Sequence, residues 1–385
     1  MQGFEDCENS RAGIYIHVPF CVKKCSYCDF YSIEEKRFEE YFEAVIKSID
    51  NFALNLPIAD SIYFGGGTPS VLPPDYIEKI IQKIKSTFKV ADDLEITLEL
   101  NPGTISKNYF QRLFKTGVNR LNIGVQSFDD ENLKLLGRIH SSKKAEETYF
   151  MARDSGFFNI GLDLIYALPF QTKENLLTDL SSLVSLNPEH ISAYMLTLEK
   201  NTKFYSMYEK NEIQMLSEEI SADFFLTVLQ FLGSNGYKFY EVSNFAKSEK
   251  FFSRHNQKHW NFSPYIGFGP SAHSFFKGRR WSEPPSFELW YSNIINSKTK
   301  GIFYEEMDLE QQKTEFVFLG LRTSKGIDLV RYKTLFNEDF LFKFDFAIKF
   351  FLSEELILIS SDFLVLTERG FLFSDYISLK FIENV

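Results

Sequence analysis

Short hydrophobic runs recur along the first half of the chain, separated by longer stretches of mixed polarity. The runs are rich in isoleucine, valine, leucine, tyrosine and phenylalanine, as expected for strands with both faces covered. They predict six strands, at 13–20, 61–69, 95–103, 120–128, 160–170 and 190–199.

The segments between these runs have helical periodicity. Between the second and third strands, one apolar helical face is formed by Ile77, Ile80, Ile81, Ile84 and Phe88. Pro73 and Pro74 mark the start of this helix. Similar patterns predict helices over 34–54, 106–116, 143–154 and 173–185. Strand and helix therefore alternate, which is typical of a parallel sheet covered by helices.

Polar and glycine-rich residues follow nearly every predicted strand. Cysteines follow the first strand, Gly65–Thr68 the second, Glu99 and Asn101 the third, and Gln126 with Ser127 the fourth. In barrels built of βα units the active site lies at this end of the strands. Six strands instead of eight predict an α/β fold with a partial (β/α)6 barrel, open on one side, over residues 13–245.

The remaining segments differ from this pattern. Residues 1–12 are polar and predict a flexible tail, in which Cys7 has no evident role. Residues 246–300 are rich in histidine, aromatics, glycine and proline, and 246–285 in particular predict loops. Residues 301–385 contain helical patterns and a hairpin, which predict a C-terminal α+β appendage resembling a winged helix.

Charge and hydropathy exclude several classes of protein. The chain of 385 residues has a formal net charge of −10 and a pI near 5.3, which disfavours nucleic acid as a partner. No stretch approaches the ~20 apolar residues of a membrane span, and the N-terminus lacks the features of a signal peptide. We therefore expect a cytoplasmic protein, where clustered cysteines more often bind metal than form disulfides.

Cys21, Cys25 and Cys28 form a CxxxCxxC motif after the first strand. Three thiolates on a short loop can hold three corners of a [4Fe–4S] cluster, because sulfur ligands suit iron–sulfur iron. The fourth iron is then open to a small molecule. A Cys3His zinc site that includes His17, a disulfide and three inert core thiols are the alternatives. The last is disfavoured by the polar residues between the cysteines, Lys23, Lys24 and Ser26.

The CxxxCxxC motif, with Tyr27 just before its last cysteine, resembles that of the radical S-adenosylmethionine (SAM) superfamily. Further segments resemble the oxygen-independent coproporphyrinogen III oxidase-like family, and within it the heme chaperone branch, HemW. These segments are "YFGGGTPS", "LELNP", "NIGVQSF", "LGRIHS", "DLIYALPFQT", "AYMLTLE", "YEVSNFA", "RHNQKHW" and "YIGFGPSAHS". The resemblance extends from about residue 13 to residue 375.

This resemblance implies that SAM binds the open iron of a [4Fe–4S] cluster. The SAM-binding residues that it implies are Tyr15, Tyr27, Gly66, Gly67, Thr68, Glu99, Gln126, Arg138 and Asp163. Gly65–Gly67 would allow close approach and leave N–H groups free for the methionine portion. Glu99 would accept a hydrogen bond from the ammonium group, and Arg138 suits a carboxylate. In the family's oxidases, the positions that correspond to Gln126, Arg138 and Asp163 contact a second SAM, together with those of Gly67 and Thr68.

"RHNQKHW" matches the HNxxYW motif that the resemblance links to heme binding, except that His259 replaces the tyrosine. The resemblance implies His255 as the iron ligand, with Trp260 as an aromatic face and Arg254 for a propionate. His259 is a second possible ligand. His273 is a further candidate.

The resemblance leaves two function classes. In the first, the protein is a heme chaperone that delivers heme to acceptor hemoproteins, with an electron donor such as flavodoxin or ferredoxin and transient membrane association as further partners. In the second, it is the coproporphyrinogen III oxidase, a radical decarboxylating enzyme. True oxidases have a further cysteine two positions after the third, where this chain has Phe30. We therefore favour the chaperone, and leave open whether SAM is cleaved.

Overall fold

The computed structural model describes residues 11–382. Its strands are β1 Ala12–Val18, β2 Ala59–Gly66, β3 Val90–Leu100, β4 Arg120–Gln126, β5 Asn159–Tyr166, β6 His190–Met195, β7 Lys238–Glu241, β8 Asn244–Ala246, β9 Tyr265–Phe268, β10 His273–Phe276, β11 Arg279–Ser282, β12 Phe303–Glu306, β13 Ile327–Asp328, β14 Ile357–Ser360 and β15 Phe363–Leu366. Its α-helices are α1 Phe38–Asp50, α2 Pro74–Thr87, α3 Lys107–Lys115, α4 Asp130–Leu135, α5 Ser142–Asp154, α6 Lys173–Ser185, α7 Lys203–Glu209, α8 Glu218–Ser234, α9 Arg254–Trp260, α10 Phe287–Asn296, α11 Leu309–Gly320, α12 Leu329–Phe336, α13 Phe340–Lys343, α14 Asp345–Ser353, α15 Glu368–Phe371 and α16 Ser374–Ile382.

Strands β1 to β6 lie side by side in chain order and are all parallel, with helices between them. This arrangement confirms the predicted α/β fold. The helix predicted from the isoleucine pattern is α2, whose Ile77, Ile80 and Ile84 are completely buried. The first strand begins at Ala12, which is also buried, so the predicted tail would be shorter than twelve residues. Cys7 lies outside the described residues.

The sheet has one face that packs against helices and one face that lines the barrel interior. In β1, Ile14, Ile16 and Val18 are buried in the main hydrophobic core. Tyr15 and His17 alternate with them and therefore lie on the opposite face. The inner face of the barrel is thus partly polar, which suits a ligand-binding interior better than an apolar core.

The prediction of loops over 246–285 is wrong. This segment contains helix α9 and strands β9, β10 and β11, and β9 pairs in parallel with β1 as a seventh parallel strand. Strands β10, β11 and β12 extend the sheet by antiparallel pairing. The strands are only four residues long and rich in aromatic and basic residues, so they lack a clear alternating pattern.

The C-terminal part forms its own small hydrophobic core. Strands β13, β15 and β14 make an antiparallel sheet, and β14 and β15 form the predicted hairpin. Helices pack around it through buried aromatics that include Tyr332, Phe340 and Phe381. The backbone N–H of Val242 donates to the carbonyl of Arg322 and joins this part to the barrel. Across residues 11–382, no helix has the length and apolar character needed to cross a membrane.

Candidate functional site

A cavity of about 1120 Å³ lies inside the barrel and opens at the carboxyl ends of the parallel strands. This volume exceeds the ~300–1,000 Å³ typical of a pocket for one small ligand. The cavity is lined by every residue that the sequence predicts for the cluster and SAM, and by the predicted heme ligand His255: Tyr15, Cys21, Cys25, Tyr27, Cys28, Gly66, Gly67, Thr68, Glu99, Gln126, Arg138, Asp163 and His255.

The loop that contains the three cysteines is held at its start and in its middle by backbone hydrogen bonds. The N–H of Cys21 donates to the carbonyl of Ile33. In the middle of the loop, the N–H of Ser26 donates to Leu136, and the carbonyl of Ser26 accepts from Phe204. Gly137 has a φ of +75°, and a Cβ atom there would lie 2.7 Å from the Ser26 hydroxyl. The loop is therefore fastened to α4 and α7 before any ligand binds.

A chain of hydrogen bonds connects two of the three cysteines. The Oγ1 atom of Thr68 lies 3.5 Å from the Sγ atom of Cys21 and accepts from the amide of Asn101 at 2.8 Å. The Oδ1 atom of Asn101 accepts from Arg138 at 2.6 Å, and the same guanidinium donates to Cys25 Sγ at 3.4 Å. Asn101 was not among the predicted site residues, although its position after the third strand was a signal.

The three thiols fit a cluster better than a single metal ion. All three are free and partly buried. Among residues 11–382, no three cysteine, histidine, aspartate or glutamate side chains lie close enough to hold one ion. In a [4Fe–4S] cluster each thiolate binds a different iron, so the sulfurs stand farther apart. Burial raises the pKa of the Cys28 thiol to about 11, and binding to iron would displace this proton.

His17 is not available to complete a zinc site. Its Nε2 atom lies 2.9 Å from the carbonyl oxygen of Tyr31, and its Nδ1 atom lies 3.2 Å from the hydroxyl of Tyr15. Burial lowers the pKa of His17 to about 4, so the imidazole is neutral. His17 therefore supports the rim of the cavity through hydrogen bonds.

Residues 65–67 must be glycine mainly because a Cβ atom would come too close to neighbouring atoms, and less because their N–H groups are exposed. Gly66 has a φ of +103°, and a Cβ atom there would lie 2.7 Å from the His17 ring. A Cβ on Gly67 would lie 2.8 Å from the backbone oxygen of Phe20. The expectation of free N–H groups is wrong for Gly67, which donates to Val18 at 2.8 Å. The N–H of Gly66 instead meets the Glu99 carboxylate.

Two partly buried carboxyl groups face the cavity below this loop. Burial raises the pKa of Glu99 to about 7, and Asp163 adds to this rise, whereas a 2.6 Å hydrogen bond from Tyr63 opposes it. Burial also raises the pKa of Asp163, whose two oxygens accept from the amide of Asn122 at 2.8 and 2.7 Å. A cationic ligand between these groups would recover the energy lost by their burial.

Gln126 and Tyr27 occupy special positions at the rim. Gln126 ends β4 after an irregularity in its pairing with β5, and its φ of 73° is unusual for a residue other than glycine. Such backbone strain is common at functional sites. Burial raises the pKa of Tyr27, which keeps its phenol neutral beside Cys25 and Cys28.

His255 lies in the wall of the cavity. Its ring packs beside both Tyr15 and Tyr63 in a cluster of three rings, with centroid distances of 5.9 and 5.1 Å, and is only 3% exposed. Its Nδ1 atom lies 3.3 Å from the hydroxyl of Ser61, and its buried Nε2 atom has no hydrogen-bond partner. The other two residues predicted for the heme site do not line the cavity. Arg254 forms an ion pair with Asp93, and Trp260 also lies outside the cavity lining.

Arg120 is an interior residue that the sequence analysis did not identify. It is 1% exposed on β4, and its charge lowers the pKa of Glu95, Glu99 and Asp163 against the effect of burial. A charged residue in a short strand that is buried throughout, "RLNIGVQ", was the available signal. Arg120 supplies a fixed positive charge near Glu99 and Asp163.

Models of known families match two parts of the chain. The model of the radical SAM superfamily matches residues 15–183, and the model of the HemN C-terminal domain matches residues 307–373. These matches cover most of the barrel and most of the C-terminal part.

Several relatives are similar over nearly the whole chain. The heme chaperone HemW of Bacillus subtilis (strain 168) is 33% identical over 379 residues, which cover 96% of this chain and 99% of the relative. The protein of the same name from Lactococcus lactis is 31% identical and covers 96% of both chains. That of Escherichia coli (strain K12) is 38% identical over 68% of this chain and 69% of its own.

The fold is similar to that of coproporphyrinogen III oxidase (HemN) from Escherichia coli. The two structures have a TM-score of 0.83 and 23% sequence identity, over 98% of this chain and 91% of the oxidase. At this identity the similarity demonstrates a common fold.

Proposed function

This chain belongs to the HemW family of heme chaperones, within the radical SAM superfamily, and we propose that it binds heme and delivers it to acceptor hemoproteins. The superfamily implies a [4Fe–4S] cluster and SAM. The observation that carries the proposal is that the predicted cluster-binding and SAM-binding residues and His255 line one cavity in a chain of this family.

In this proposal Cys21, Cys25 and Cys28 hold the cluster. Thr68 and Arg138 contact two of these sulfurs and orient them. Hydrogen bonds to the sulfurs of a cluster also tune its reduction potential. The cluster, when bound, supplies the electron for reductive cleavage of SAM. Whether this chain uses that chemistry is a separate question from its binding of heme.

Glu99 and Asp163 are the proposed anchors for the cationic and polar parts of SAM. Burial disfavours the ionised form of both carboxyl groups, and a positively charged group of the ligand would stabilise that form in place of the lost water. Tyr15, Gly66 and Gln126 shape the walls around it. Tyr27 excludes water beside the cluster loop.

The proposed cargo follows from the names of the relatives and from the room in the cavity. A volume of about 1120 Å³ is larger than one ligand of the size of SAM requires. Phe30, at the position of the oxidases' further cysteine, is 68% exposed and also lines the cavity. An electron donor such as flavodoxin or ferredoxin belongs to the proposal and is supported by the exposed Lys23 and Lys24 on the cluster loop.

Heme transfer tests this function. Anaerobically reconstituted protein, loaded with hemin, is mixed with an apo-hemoprotein such as apomyoglobin, and heme absorbance of the acceptor is followed. We expect transfer to the acceptor and no decarboxylation of coproporphyrinogen III in the presence of SAM and reductant. Failure of the protein to bind hemin, or conversion of coproporphyrinogen III at a catalytic rate, would overturn the proposal and favour the oxidase.

A further inference from the structure

Asn122, Gly161 and His190 lie in one row across three neighbouring strands of the barrel. Asn122 of β4 is paired with Gly161 of β5, and Gly161 is paired with His190 of β6, so all three lie on the same face of the sheet. Because Gly161 has no side chain, the side chains on either side can approach each other above it. A Cβ atom on Gly161 would lie 2.5 Å from the Oδ1 atom of Asn122 and 3.2 Å from the Nδ1 atom of His190.

The two atoms that meet above Gly161 are both buried and unpaired. Within residues 11–382, neither Asn122 Oδ1 nor His190 Nδ1 has a hydrogen-bond partner. Buried polar atoms are nearly always paired, and each such atom left alone carries a cost. Their common distance from one point above Gly161 suits a hydrogen bond between them that is direct or bridged by one water molecule.

The hydroxyl of Tyr240 decides which nitrogen of the His190 ring has the proton. Burial lowers the pKa of His190, so the ring is neutral and has a single N–H group. Its Nε2 atom lies 2.8 Å from the Tyr240 hydroxyl, which also accepts from the backbone N–H of Ser253 at 3.2 Å. Burial raises the pKa of Tyr240, so the phenol keeps its proton and donates it to Nε2. The proton of the ring is therefore on Nδ1 and faces Asn122 Oδ1.

The donors of this chain of hydrogen bonds all point toward Asp163. Tyr240 donates to His190, His190 faces the oxygen of the Asn122 amide, and the Nδ2 atom of Asn122 donates to both oxygens of Asp163, at 2.8 and 2.7 Å. This orientation suits an ionised carboxylate, which can only accept. If the amide were turned over, its oxygen would face Asp163, and the carboxyl group would have to be protonated.

We propose that His190 is a positioning residue for SAM, because its Nδ1–H group holds the Asn122 amide in the orientation that keeps Asp163 ionised. The proposal rests on the proposed role of Asp163 as an anchor for SAM. His190 and Tyr240 act through other residues, since neither lines the cavity. Ser253 is the N-cap of α9, so the chain of hydrogen bonds also connects the start of that helix to the SAM site.

Other groups act on Asp163 without passing through His190. The charges of Arg120 and Arg138 favour its ionised form, and Ser192 donates a hydrogen bond to it. The nearby Glu99 opposes that form by repulsion. All four remain in place when His190 is changed, so variants of His190 isolate the contribution of the Asn122 orientation.

Nitrogen NMR tests the position of the proton in the wild-type chain. The protein is labelled with ¹⁵N in its histidine rings and reconstituted with the cluster, and the signal of His190 is the one missing from the spectrum of His190→Asn. At pH 7 we expect a neutral ring with its proton on Nδ1. A proton on Nε2, or a charged ring, would overturn the assignment.

Calorimetric titration with SAM tests the role of this proton in cluster-loaded protein. His190→Leu removes the donor and should weaken SAM binding by about tenfold. His190→Asn offers an amide N–H near the former position of Nδ1 and should recover most of the affinity. Tyr237→Phe is the control, because it removes a buried hydroxyl that donates to the carbonyl of Pro188, away from the cavity, and should leave the affinity unchanged. Circular dichroism confirms that the variants fold.

Asp163→Asn separates positioning from a general loss of packing. If His190 acts through Asp163, His190→Leu should have little further effect on SAM binding in the Asp163→Asn background. An equal loss in both backgrounds, or wild-type affinity in His190→Leu, would overturn the proposal while the anchor role of Asp163 stands. If Asp163→Asn binds SAM as tightly as the wild-type chain, the anchor role itself fails, and the role of His190 fails with it.

Discussion

Arg138 donates a hydrogen bond to the Sγ atom of Cys25 across 3.4 Å. The same guanidinium donates to Asn101 and to the carbonyl of Gly124, at 2.6 and 2.7 Å. Three acceptors in different directions require the planar fork of arginine, and the ammonium group of lysine cannot meet them equally well. The sulfur is thus oriented by a residue that is 113 positions away in the chain.

We expect Arg138→Lys to lower the reduction potential of the reconstituted cluster. A hydrogen bond to a cluster sulfur stabilises the more negative reduced state, and the variant weakens this bond. Redox titration under anaerobic conditions measures the change. Arg112→Lys, which alters only an exposed ion pair with Asp75, is the control and should leave the potential unchanged. Equal potentials in the wild-type chain and Arg138→Lys would contradict the role of this contact.

We expect loss of the cluster when any one of Cys21, Cys25 or Cys28 is changed to alanine. The wild-type chain should bind about four irons after anaerobic reconstitution, and each variant should retain little iron and little cluster absorbance. Cys7→Ala is the matched control, because it removes the remaining cysteine of the chain, which is not part of the CxxxCxxC motif. Wild-type iron content in all three variants would reject these ligands.

We expect Gly66→Ala to destabilise the fold more than a comparable change elsewhere. Gly66 has a φ of +103°, and the Cβ atom of an alanine there would lie 2.7 Å from the His17 ring. Gly236→Ala, with a φ of +84° and no atom within 4 Å, measures the backbone cost alone, about 1–2 kcal/mol. Gly233→Ala, in α8 with open space around it, should stabilise by about 0.5–1 kcal/mol.

Chemical unfolding of these three glycine variants measures the free energies. The cost at Gly66 beyond that at Gly236 is the cost of contact with His17. Equal losses at Gly66 and Gly236 would mean that the His17 ring moves aside freely.

We expect SAM binding to strengthen as the pH rises through 7. Burial raises the pKa of Glu99 to about 7, so the carboxyl is largely protonated at pH 6 and must lose its proton to accept from an ammonium group. Between pH 6 and pH 8 the ionised fraction rises about tenfold, and the affinity should rise by a similar factor. Calorimetric titration of cluster-loaded protein measures this dependence.

The raised pKa of Glu99 also has a consequence for stability. The folded state holds this proton more tightly than the unfolded state, so its contribution to stability is complete below pH 4.5 and is lost as the pH rises through about 7. Glu99→Gln should remove both pH dependences and weaken SAM binding. A binding profile of unchanged slope in Glu99→Gln would assign the titration to another group.

Local patterns in the sequence determined the barrel. Isoleucines at helical spacing predict α2, and short apolar runs predict β1 to β6 to within a few residues. These signals are strong because a strand covered on both faces and a helix with one buried face each impose a period on neighbouring residues. The cysteine motif and its position after β1 are equally local. They predict the cluster loop without knowledge of the fold.

Tertiary structure decided the features that depend on contacts between distant segments. Asn101 joins Thr68 to Arg138, and β9 extends the sheet beside β1, yet neither leaves a periodic trace in the sequence. The same is true of His255 and His259, which are one turn apart in a single motif. Both line the cavity, but the His255 side chain is buried and that of His259 is exposed, because Tyr15 and Tyr63 of other strands pack beside the first.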